Sequence, residues 1–128
     1  MKKLFFALAV SLSALTACTK SKDNPRDGFI GNYSIVITQS WDNVTVSTPN
    51  QTCSITTSTT GDANISLNNI FTSVITATVS NETTFDIPTQ SAGTIYVSGA
   101  GAMDINKNIS ISYSINNGQY YNAILTRI

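Results

Sequence analysis

Residues 109–115 read ISISYSI, and this short stretch decides the fold class. Ile109, Ile111, Tyr113 and Ile115 share one parity, and serines occupy the other. Successive side chains of a strand point to opposite faces, so the stretch forms an apolar face backed by hydroxyls. A helix would scatter the same isoleucines around its circumference. The spacing therefore predicts a half-buried antiparallel strand.

Working outward, the same period of two recurs in YSIVIT from Tyr33, CSITTST from Cys53, NISL from Asn64 and ITATVS from Ile75. It returns in TTFDI from Thr83, TIYVSGAGAM from Thr94 and YYNAILTR from Tyr120. These segments are rich in β-branched residues, which suit a pleated surface, and they make about eight strands. Turn residues divide them. Asn117-Gly118 has the positive-φ chemistry of a type I′ hairpin, and Gly61-Asp62, Ser80-Asn81 and Pro88 to Gly93 mark further turns. The predicted class is all-β: an antiparallel up-and-down barrel of about eight strands, with a two-sheet β-sandwich as the alternative. The outward positions are Ser, Thr and Asn, which give little charge protection to an open edge. Closure removes the edge and so favours the barrel.

The first residues belong to a different physical regime. Lys2 and Lys3 precede an apolar run from Leu4 to Leu15, twelve residues without a charge. A spanning helix needs roughly 20 residues, so an export signal is expected. Leu15-Thr16-Ala17-Cys18 resembles the lipobox of bacterial lipoproteins. That resemblance implies a diacylglycerol on the Cys18 thiol, cleavage before Cys18 and acylation of the new amine. Each buried methylene adds about 0.8 kcal/mol, and two chains already give stable anchoring. The expected organisation is a lipoprotein signal peptide over 1–17, a lipidated flexible tether over 18–28 and a single β-barrel domain over 29–128. Thr19, in place of aspartate after the cysteine, implies the outer membrane. Asp23 and Asp27 stand among three cations in the tether, which leaves periplasmic face and cell surface both open.

Composition removes several chemistries. The chain has 128 residues and no histidine, so Ser-His-Asp and Cys-His machinery and imidazole zinc sites are absent. Beyond the tether the only cations are Lys107 and Arg127, too few to hold a phosphate backbone, so no nucleic acid is expected. With Cys18 lipidated, Cys53 is the one remaining thiol, expected as a small buried hydrophobe. Asp104-Ile105-Asn106-Lys107-Asn108 begins like a calcium loop. The sixth and twelfth positions are Ile109 and Ile115, which fit a polar hairpin turn instead. Gly99-Ala100-Gly101 is followed by no phosphate-loop lysine, and glycines there are expected to permit a bend or close strand packing. Asp42, Asp62, Glu82, Asp86 and Asp104 all fall near predicted turns or strand ends, and no carboxylate pair is readable. No enzymatic activity, catalytic residue, metal or cofactor is expected.

Trp41, in QSWDN at the end of the first strand, is the leading candidate for a binding residue. At a barrel mouth it could stack a glycan or a small apolar ligand, or it could plug the core. Tyr96, Tyr120 and Tyr121 are further candidates of the same kind. Two functions follow from these residues. One is a binding barrel with its ligand near Trp41, and the other is a filled barrel serving an envelope protein partner as an accessory. Interior volume separates them, because eight strands are either filled by side chains or hold one small ligand.

Phe29-Ile30-Gly31-Asn32-Tyr33 resembles the Gly-x-aromatic start of lipocalin-like and calycin-like barrels. Ile87-Pro88-Thr89-Gln90, Ser98-Gly99-Ala100-Gly101 and Leu125-Thr126-Arg127 are similar to segments of small Bacteroidota-type outer-membrane lipoproteins with such barrels. The resemblance implies a barrel and an envelope location. It also implies that Arg127 packs over Tyr33, as a late arginine packs over the first-strand aromatic in lipocalins.

Overall fold

The computed structural model describes residues 24–116 and 118–128. Cys18, the expected signal peptide, residues 18–23 of the expected tether, and Asn117 lie outside them. Eight strands follow a short 3-10 helix, Pro25–Phe29: β1 (Gly31–Gln39), β2 (Thr52–Thr57), β3 (Asn64–Asn68), β4 (Ile75–Val79), β5 (Thr84–Ala92), β6 (Ile95–Met103), β7 (Ile109–Ile115) and β8 (Gln119–Arg127). Each pairs antiparallel with its sequence neighbours, and β8 pairs back onto β1 to close the barrel. The closing ladder runs from Tyr33 opposite Arg127 to Gln39 opposite Tyr121. Closure, rather than a sandwich, is the outcome.

Parity along the strands sorts inside from outside. Ile109, Ile111 and Tyr113 of the opening stretch are buried, and Ser110 and Ser112 are exposed. The core joins Tyr33, Ile35 and Ile37 of β1 to Ile55, Leu67, Ile75, Phe85, Val97 and Leu125 from the other strands. Cys53 is part of it, only 3% exposed. Large apolar side chains fill the barrel, and among the described residues no polar or charged residue is buried whole. The strands themselves carry only Asp86 and Arg127 as charged side chains.

Gly101 shows why glycine is needed within β6. It faces Phe85 across the ladder, and the Phe85 ring lies over its Cα where a Cβ would otherwise stand. Phe85 also meets Phe29 edge-on, with ring centroids 5.3 Å apart. A missing side chain thus lets a large ring lie flat against the wall.

Two segments depart from expectation. Of the residues Pro88 to Gly93 only Gly93 lies in a turn: β5 continues to Ala92, with a register shift between Ile87 and Gln90. Proline is tolerated at this bulge because no ladder donor is required of it. The Gln90 side chain then replaces the interrupted pairing with β4. Its Nε2 donates to the Thr76 carbonyl at 2.7 Å, and its Oε1 accepts from the Thr76 amide at 3.1 Å. A side-chain amide has taken the place of a backbone one.

The second departure is at the expected tether, whose residues Asn24 to Gly28 are built into the domain. Asn24 caps the 3-10 helix by accepting from the Arg26 amide, and Asp27 closes a capping box. Arg26 Nη1 donates to the carbonyls of Ser58, Gly61 and Asn64 around the β2–β3 turn. Phe29 is fully buried and stoppers that barrel end. Arg127 locks the plug from the opposite side. Its Nη2 donates to the Gly28 carbonyl and the Tyr33 hydroxyl, both at 2.7 Å, and its Nη1 donates to the Ile30 carbonyl. The guanidinium lies over the Tyr33 ring, 5.0 Å from its centroid. Gly31 makes room for it, since a Cβ there would come within 2.8 Å of Nη1.

Burial carries a consequence at alkaline pH. Desolvation pushes the Cys53 thiol from 9.0 up to about 11. It also raises Tyr113, with help from neighbouring Tyr121, and raises Tyr33 despite the opposing pull of Arg127. Above the unfolded value the unfolded chain releases protons that the native barrel keeps. Stability is therefore complete below about pH 9 and is lost as pH rises through the folded value. Urea denaturation across pH 7 to pH 12 should show a plateau followed by a fall, and Cys53→Ala should remove the first part of that fall. A flat profile for the parent chain would contradict the burial of these groups.

Candidate functional site

The plugged end lies at the start of β1. At the opposite end the chain leaves β1 through Ser40 and Trp41, and β8 begins at Gln119. Ile70 and Phe71, from the β3–β4 connection, cover this end from within. Phe71 meets Tyr113 edge-on at 5.0 Å, and Tyr113 stacks on Tyr121 at 5.5 Å with their planes 18° apart. Three aromatic rings in series thus form a packed floor, and Tyr121 presents the last of them to the rim.

Above that floor lies a cleft of about 240 Å³, lined by Gln39, Ser40, Trp41, Gln119, Tyr120 and Tyr121. Trp41 is 82% exposed and Tyr120 65% exposed. The core-plug alternative for Trp41 is thereby overturned: Phe71 and Tyr113 already close this end, and the indole stands in solvent. Its Nε1 donates to Gln39 Oε1 at 3.1 Å. Likewise the Tyr121 hydroxyl donates to Gln119 Oε1 at 3.3 Å. Each glutamine oxygen accepts from an aromatic neighbour, and among the described residues neither amide Nε2 has a hydrogen-bond partner. The site offers flat apolar rings and hydrogen-bond donors, with no charged residue in its lining.

Trp41, Tyr120 and Tyr121 are brought together as the sequence suggests. Tyr96 is not. It is exposed on the outer face of β6, its backbone paired to Asn116, and it lines neither this cleft nor the neighbouring one described below. The residues missed in the sequence are Gln39 and Gln119. A signal for them existed: each continues the inward parity of its strand, after Ile37 and before Tyr121. A polar residue at an inward position marks the point where the barrel opens to water.

Other sequence candidates resolve simply. Asp104 Oδ1 accepts from the amides of Asn106 and Asn108 at 2.9 Å, which makes the calcium-like stretch a hairpin turn. Among the described residues no group of three or more His, Cys, Asp or Glu side chains is placed to hold a metal ion.

No protein-family model matches the chain, and no curated protein matches it. Among solved structures, one described as a redesigned beta barrel is similar, with a TM-score of 0.54 and 15% identity, covering 84% of this chain and 98% of that one. At that identity the likeness speaks for the barrel fold alone.

Proposed function

We propose that the chain is a lipid-anchored outer-membrane lipoprotein, of the small Bacteroidota type that its sequence resembles, whose barrel is a non-enzymatic binding module for a glycan at the rim cleft. The observation that carries the ligand class is the exposed indole of Trp41, hydrogen-bonded to Gln39, in a cleft also lined by the amide side chain of Gln119. Sugar rings present an axial C–H face and a rim of hydroxyls. A rigid aromatic stacks on the face at small entropy cost, and amide donors take the hydroxyls. A purely apolar ligand would use only half of these groups, and the barrel interior is already filled by side chains.

Lipidation at Cys18 would set the orientation. Cys18 precedes Asn24, the first described residue, by a few positions. At about 3.3–3.6 Å per extended residue, the plugged end is then held within roughly 20 Å of the acyl chains. The cleft at the other end would project into the aqueous space.

Two measurements test the reading. Replacing Cys18 with serine should release the protein from membranes or stall its processing, as read by membrane fractionation and intact mass. Unchanged attachment would remove the anchor from the reading. For the ligand, the purified chain should retain neutral glycans on a printed array of neutral and acidic oligosaccharides. Trp41→Ala should lower that binding at least tenfold, corresponding to about 1.4 kcal/mol, with an unchanged melting temperature. Equal binding by parent and variant would place the ligand elsewhere.

A second reading has its own support. The filled interior fits an accessory barrel that offers its surface to an envelope protein. Retention of a protein partner through Trp41, with no glycan bound, would favour it.

A further inference from the structure

The rim cleft has a neighbour. On the outer wall, Ser40, Ser98, Ser112, Ser114 and Tyr120 line a second cleft of about 260 Å³. Ser40, Tyr120 and Tyr121 belong to both, so the exposed Tyr120 side chain stands between two adjoining lobes rather than at the border of one. Either lobe alone falls short of the ~300 Å³ at which ligand clefts begin, and the two together pass it.

The polar groups of the second lobe are arranged across three strands. The Ser112 hydroxyl donates to Asn122 Oδ1 at 3.1 Å, and Asn122 Nδ2 donates to Ser40 Oγ at 3.1 Å. Ser98 and Ser114 Oγ lie 3.3 Å apart. Along the first row each donation sets the direction of the next. Ser112 Oγ keeps its lone pairs for a ligand, and Ser40, having accepted from Asn122, keeps its hydroxyl hydrogen. An oriented row of one acceptor and one donor suits a partner that is itself a row of hydroxyls. No charged residue lines either lobe. The strands' only charges are Asp86, which accepts from Ser80, and Arg127, which is committed to the plug, and Asp42, next to Trp41, accepts from the Val44 amide.

We infer that the two lobes form one continuous groove for a neutral oligosaccharide chain, running from Trp41 over Tyr120 onto the serine-lined wall of β6 to β8. The inference rests on the glycan reading of the rim cleft and adds its chain length, direction and absence of charge. Trp41 stacks one sugar unit, Tyr120 supports the linkage region, and the Ser112–Asn122–Ser40 row engages the next unit.

The test uses homo-oligosaccharides of glucose, mannose, xylose, galactose and N-acetylglucosamine, each from one to six units, titrated calorimetrically against the purified chain. At least one series should gain tenfold or more in affinity between one unit and three or four, then level off. The affinity should change less than twofold between 50 mM and 500 mM salt, because no ion pair is involved. Ser112→Arg, on the exposed wall, should abolish the gain with length. Trp41→Ala should weaken every length. Binding of single units with no gain on lengthening would overturn the groove and leave the rim cleft standing. Strong salt dependence, or a Ser112→Arg variant that keeps the full gain, would also overturn it. Absence of binding by every series would overturn the glycan reading itself.

Discussion

Gly101→Ala should destabilise the barrel by about 3 kcal/mol, at the upper end of the cost of overpacking a core. In an open position the same change would help by about 0.4–1 kcal/mol, because alanine restricts the unfolded chain. The sign is decided by Phe85, whose ring occupies the space the new methyl needs. It is 1% exposed and wedged against Phe29, which itself stoppers the barrel. The methyl must therefore displace the ring, and the displaced ring disturbs the plug. Thermal melting should fall by roughly 10–20 °C for a domain of this size. Shortening the ring relieves the conflict: Phe85→Leu alone should cost about 1–2 kcal/mol by the usual large-to-small penalty. The double variant should nevertheless be more stable than Gly101→Ala alone. Additive losses in the double-mutant cycle would show that the ring and the glycine are not coupled.

Arg127→Ala should cost about 2–4 kcal/mol, from charged hydrogen bonds together with the contact over the Tyr33 ring. The loss is distributed unequally. The Tyr33 hydroxyl keeps a partner, because it also donates to the Phe29 carbonyl at 2.7 Å. The carbonyls of Gly28 and Ile30 are the ones left without a donor, and both flank the plug residue Phe29. Hydrogen exchange should therefore accelerate at Phe29 and Ile30 before it does at β6 or β7. Lysine should restore less than half the stability, since a single ammonium cannot reproduce a planar fork reaching two carbonyls and a phenol. Full rescue by lysine would mean that the charge over Tyr33, and not the fork, carries the effect.

The pairing of Tyr33 with Arg127 was legible because both residues stand at motif positions in short, recognisable stretches. The strand faces were legible for a more general reason: a barrel wall imposes strict alternation wherever one side is core and the other water, as in ISISYSI. Legibility failed where a residue's partner was not its sequence-local type. Pro88 reads as a turn, but Gln90 supplies from its side chain the hydrogen bonds that keep β5 alongside β4. Asn24 to Gly28 has no apolar period and reads as tether. Its order comes from a capping box and from Arg26 reaching three carbonyls distant in sequence. At the cleft, Trp41 was visible as a type and a place, whereas its exposure depended on which other rings close the barrel. That role falls to Phe71, Tyr113 and Tyr121, brought together from a loop and two strands. No local pattern encodes such a meeting.

The pairing of β1 with β8 sets an order of events during synthesis. The ribosome makes β1 first and its closing partner last, and passage across a membrane would deliver them in the same order, so nearly the whole domain must emerge before Tyr33 meets Arg127 and the plug can be locked. Until then the growing sheet has two free margins, and its strands are almost without charge. Neighbouring hairpins can zip as they appear, but such a sheet remains open to pairing with another chain. A nascent chain halted before β8 should therefore need a chaperone to stay monomeric, and should release it when the last strand arrives.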